Sequence, residues 1–109
     1  MDIEQAKTAD KGDRRQLPNR RAAETVTFER DNLHYCMTVG SFPDGSPGEI
    51  FLNASLSNSL LDVLASDAAI FASIALQFGA PLDVLRHAVK RDARGIAASP
   101  IGAALDLIR

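Results

Sequence analysis

Cysteine is almost missing: Cys36 is the only one in 109 residues. That excludes an internal disulfide, a multi-cysteine zinc site and a dithiol redox relay. Histidine is scarce too. His34 and His87 fall in different predicted elements, and no HxxxH or CxxC spacing exists, so neither a metal site nor a cofactor is predicted. A charge excess is also lacking. The net charge of −2 argues against coating nucleic acid through bulk charge, although a local basic patch stays open. Residues 1–9 are polar and acidic, unlike a secretory signal. The longest apolar stretch, residues 68–76, is interrupted by Ser73 and falls short of the roughly 20 residues a bilayer requires. A cytoplasmic protein without a membrane segment is the expectation.

What is present suits one small domain, with 46% hydrophobic and 24% charged residues. Residues 1–20 hold little to bury beyond Ile3 and Leu17, and they cluster Arg14, Arg15 and Arg20 late. They are predicted to be a disordered polar and basic arm. Residues 21–109 form the domain. Val26 and Phe28 alternate with polar neighbours, as do Leu33, Tyr35, Met37 and Val39. The turn formers Asp31 and Asn32 lie between the two runs, which predicts a β-hairpin. After a loop through Pro43, Asp44 and Gly45, residues 49–53 make a third, more apolar strand, central or under helices. Ser59 with Asp62 fits a helix N-cap. Leu61, Leu64, Ile70, Phe71, Ile74 and Phe78 then point around every face, which predicts a buried central helix ending at Gly79. Pro81 opens a second helix to about Lys90, burying Leu82, Leu85, Ala88 and Val89. Pro100 opens a third. The fold class is α+β: a three-stranded antiparallel meander, a buried central helix and two shorter ones.

No reaction class finds its side chains. Cys36 and His34 are two apart on one strand, which puts them on one face without the usual contact between base and nucleophile. The glycine-rich loop, residues 45–48, leads into a strand rather than a helix, so it is no phosphate loop. Asp62, Asp67 and Asp83 read as solvated helix carboxylates. The spacing of Ala75, Gly79, Leu82, Leu85 and Ala88 matches a helix-turn-helix. It would present Arg86, His87, Lys90 and Arg91 as a basic patch facing phosphate. Ordinary helix packing produces the same spacing.

Several stretches together resemble the TSCPD domain, found at the C-terminus of vitamin B12-dependent ribonucleotide reductases and as small stand-alone proteobacterial proteins. They are residues 21–28, the strand from Tyr35 to Gly40, residues 42–45 and 48–53, residues 67–70 and 73–77, residues 79–82 and 85–88, and the tail from Ser99 to Asp106. The resemblance runs from about Arg20 to the end. Two features depart from it. Residues 54–59 replace a glycine- and lysine-bearing loop, and the cysteines of the reductase-fused versions are missing.

The resemblance implies an accessory or regulatory module without catalytic residues of its own. The expected mode of action is through a protein partner or self-association, with Leu56, Leu60 and Leu61 as candidate contacts. The alternative is a small DNA-binding regulator using residues 75–91 and the arginine arm.

Overall fold

The computed structural model describes residues 12–109. Strand β1 (Ala23–Arg30), β2 (Leu33–Ser41) and β3 (Pro47–Ala54) form one antiparallel sheet in that order. Three helices follow: α1 (Leu60–Gln77), α2 (Leu82–Ala88) and α3 (Pro100–Leu107). The α+β meander predicted from the sequence is the observed architecture.

Local chemistry explains the joints. Asp31 and Asn32 take φ of 52° and 66°, the left-handed pair that a two-residue hairpin demands. This fixes the register in which Phe28 faces Tyr35 and Val26 faces Met37. The Phe28 and Tyr35 rings stack with centroids 5.2 Å apart, a favourable cross-strand pair. Between β2 and β3, Gly45 at φ 89° closes a tight turn whose Asp44 carboxylate accepts from the Ser46 amide and hydroxyl. These bonds, the hydroxyl first, hold the Asp44 carboxyl below its usual pKa.

The Ser59 hydroxyl accepts from the Asp62 amide at 3.2 Å and starts α1. Gly79 at φ 100° ends it: the Gly79 amide donates to Leu76 O and the Ala80 amide to Ala75 O, both at 3.0 Å. That is a Schellman closure, and a side chain at Gly79 would strain it. Helix α2 stops at Ala88, two residues before the expected end, where Val89 turns extended. The next residues form a small hairpin, bridged from Arg91 to Ala97 and capped by the Asp92 carboxylate.

One face of the sheet carries the core. Tyr35, Met37, Ile50, Leu52 and Ala54 pack against Ala65, Ala69, Ala72 and Leu76 of α1 and Ala104, Leu105 and Ile108 at the C-terminus. The other face is open, with Cys36 exposed and the Thr25 and Thr38 hydroxyls 2.9 Å apart. Strand β3 is not central, because it pairs with β2 alone; its second edge is covered by α1. The arm divides at the start of the described residues, and residues 1–11 lie outside them. From Asp13 to Arg20 the chain has no helix or strand and is mostly exposed, yet it is tethered. Arg14 Nε donates to Gln77 Oε1 at 2.5 Å, the Arg15 amide donates to Gln77 O at 2.7 Å, and the Arg15 guanidinium lies 3.7 Å from the Phe42 ring centroid.

Candidate functional site: the outward face of helix α1

The apolar pattern alone does not reveal which way α1 turns. Its buried residues are Asp62, Ala65, Ala69, Ala72, Ser73, Leu76 and Gln77, so small and polar side chains face in. Leu76 is buried too and Leu61 and Ile74 are half-buried, but the other large side chains face out. Leu64, Ile70, Phe71 and Phe78, which the all-round apolar pattern placed in the core, are all exposed, Phe71 by 70%. The expectation that α1 is buried on every side is corrected accordingly, and Ile74 is only half-buried.

The cause is the β3 edge. An unpaired strand edge presents amides and carbonyls that must find partners when covered. Here α1 lies along that edge and its side chains serve as the missing strand. The Asp62 carboxylate accepts from the Ala54 amide at 2.8 Å and from the Asn58 amide at 2.9 Å. Ser66 Oγ donates to Leu52 O at 3.0 Å. Ser73 Oγ accepts from the Ile50 amide at 2.7 Å, and its hydrogen is shared between Ala69 O at 2.8 Å and Ile50 O at 3.1 Å. Gln77 Nε2 donates to Gly48 O at 2.8 Å. Alanines between these groups let the helix approach closely. The two backbone amides, Ala54 before Asn58, hold the Asp62 carboxyl below its ordinary pKa against the opposing effect of burial.

Bonding the edge turns the opposite side of α1 to the surface. Leu56 is 62% exposed and Leu60 75%; the Ser59 amide and hydroxyl both bond Leu56 O in the turn that leads into α1. Of the three expected contact residues, only Leu61 turns inward, half-buried against the core. Phe51, on the open face of β3, lines a shallow hollow with Ile70 and Ile74 and extends the patch across the helix. By length and composition α1 could cross a bilayer, being 18 residues long with a mean hydropathy of 1.6. The shorter apolar run considered in the sequence does not anticipate this. The bonds from Asp62, Ser66, Ser73 and Gln77 instead hold it on the strand.

The four basic candidates do not act as one surface. Arg86 Nε donates to Leu105 O at 3.1 Å, and its Nη2 also bonds Ile108 O. Arg91 grips Asp106 with two bonds of 2.8 Å and further bonds Gly95 O and Arg86 O. The Asp106 bond holds the Arg91 pKa up, and the same bond holds the Asp106 carboxyl down. These arginines tie the end of α3 to α2. His87 donates from Nδ1 to Asp83 O at 2.7 Å, while Lys90 is exposed. Helix α2 packs mainly on α3, not on α1 as in a helix-turn-helix. Among the described residues, no group of three or more His, Cys, Asp or Glu side chains could hold a metal ion.

Comparison with known proteins gives one consistent likeness. The chain is 33% identical over 72 residues to a vitamin B12-dependent ribonucleotide reductase of Rhodopirellula baltica, covering 66% of this chain and 7% of that protein. It is 36% identical over 70 residues to the one of Streptantibioticus cattleyicolor, covering 64% of this chain and 12% of that protein. For the one of Agrobacterium fabrum the figures are 32% over 71 residues, 65% and 6%. The chain thus spans a small part of these relatives. No family model matches it, and no solved structure does.

Proposed function

We propose that the chain is a non-catalytic accessory or regulatory module, akin to the TSCPD domain of vitamin B12-dependent ribonucleotide reductases, that works through a protein partner or self-association, with the outward face of α1 as a contact surface. The observation that carries this reading is the exposed apolar side of a helix whose polar side is fully engaged with β3. Large apolar surfaces on small domains mark interaction sites. The likeness to the reductases over about two thirds of the chain supplies the biochemical setting. The internal bonding of Arg86 and Arg91 favours protein contact over phosphate contact. The test is titration of the fluorescently labelled chain with the Streptantibioticus cattleyicolor vitamin B12-dependent reductase. Saturable binding is expected, together with no ribonucleotide reduction by the chain alone. Absence of binding, or turnover by the isolated chain, would overturn the reading.

A further inference from the structure

The exposed residues of α1 have a repeat. Leu60, Leu64, Asp67 and Phe71, with the half-buried Ile74 and the exposed C-cap residue Phe78, follow one another at spacings of 4, 3, 4, 3 and 4. This is the seam of a coiled coil, in which every apolar knob requires a facing helix. Within the described residues no helix faces it. Helices α2 and α3 have seven and eight residues, and their contacts lie with each other and the core. Residues 1–11 offer only Met1 and Ile3 as large apolar side chains, too few to fill it.

We propose that the seam is closed by α1 of a second copy of this chain, running antiparallel. The proposal rests on the reading of this face as a contact surface and names its occupant. Three observations support it. The first is size: the exposed side chains of this face present on the order of 900 Å², against about 800 Å² per partner in a standard interface. The second is length. A matching occupant must offer an apolar helix of about 27 Å, which is α1 itself with its 18 residues. The third is charge. In a parallel pair Asp67 would face Asp67 of the second copy inside an apolar seam. In an antiparallel pair Leu60 meets Phe78, Leu64 meets Ile74 and Asp67 meets Phe71, so the two carboxylates fall on opposite sides of the two-fold axis. A polar residue at one seam position is a known means of fixing orientation, and a two-fold contact closes without leaving the seam open.

The experiment is sedimentation of the full chain at tens of micromolar, with Phe71→Asp and, as a second variant, Leu60→Glu. Both positions are exposed in the single chain, so their circular dichroism should match the parent. The parent should sediment as a dimer and the variants as monomers. In a Cys36→Ser background, Leu60→Cys chains should form disulfides with Phe78→Cys chains far more readily than with themselves. A monomeric parent, or dimers that survive both variants, would overturn the proposal. Leu60→Cys chains that cross-link chiefly to themselves would overturn the antiparallel arrangement. A monomeric parent that binds phosphatidylcholine vesicles would assign the face to a membrane instead. A monomeric parent that binds the reductase, with loss of binding in Phe71→Asp, refutes the dimer and leaves the accessory reading standing. A dimer that never binds the reductase does the reverse.

Discussion

Replacing Ser73 with alanine removes one oxygen atom and tests whether α1 truly substitutes for a strand. The hydroxyl is the partner of the Ile50 amide at 2.7 Å, and Ile50 is almost fully buried. Ser73 is 9% and Ile50 2% exposed, so the loss leaves a nearly buried donor unpaired. The cost of such an orphan is about 1–3 kcal/mol. For a domain of this size each kcal/mol moves the melting temperature by about 4–8 °C. A fall of roughly 5–20 °C is therefore expected. Ser66→Ala is the matched control. Ser66 donates to Leu52 O at 3.0 Å from a half-buried position, where water can take over, so its cost should stay below about 1 kcal/mol. Urea and thermal unfolding at one fixed protein concentration would measure both, since self-association makes the midpoint depend on concentration. Hydrogen exchange at the Ile50 amide supplies the local readout and should accelerate only in Ser73→Ala. If both variants fall within about 0.5 kcal/mol of the parent and Ile50 stays protected, the β3 edge is not held in the way described.

Acid should destabilise the fold. The Asp62, Asp44 and Asp106 carboxyls are held low by the Ala54 amide, the Ser46 hydroxyl and Arg91 respectively. Depressed folded-state values mean that their contribution is complete above the unfolded pKa of about 4 and is lost as pH falls through the lower folded values. Melting curves from pH 7 to 2 should be flat above about pH 5 and decline below about pH 4, and Asp62→Asn should flatten that decline; a pH-independent parent would refute this. A double-mutant cycle on Arg91 and Asp106, whose side chains are 28% and 38% exposed, should give a coupling of about 0.3–1 kcal/mol that salt weakens. A salt-independent coupling above about 2 kcal/mol would show the pair to be effectively buried.

The joints of the fold were legible because each is a local transaction. Asp31 and Asn32 tolerate the left-handed backbone of the hairpin, Ser59 caps α1, and Gly79 and Pro100 mark an end and a start. The orientation of α1 was not legible, because an apolar pattern on all sides selects no face. A signal was available in the row Asp62, Ala65, Ser66, Ala69, Ala72, Ser73 and Gln77, small and hydrogen-bonding residues recurring at three and four. Such a row suits close approach to backbone, not to side chains. Missing it placed Leu64, Ile70, Phe71 and Phe78 in the core; Leu56 and Leu60, expected as contact residues, are exposed. The basic set failed to assemble because sequence spacing cannot show that Leu105 O, Ile108 O and Asp106 lie within reach of Arg86 and Arg91.

The bonds that α1 makes to β3 from Asp62, Ser73 and Gln77 end on main-chain atoms of Ala54, Ile50 and Gly48. Every residue type supplies the same carbonyl, and every type but proline the same amide, so these bonds do not depend on the side chains that β3 turns to its open face. Substitution at Phe51, whose side chain points to the open face, leaves each of those bonds in place. Mutation can therefore redraw the outer surface of β3 while the helix keeps its seat, and the sheet's exposed face is free to diverge on a scaffold that does not register the change.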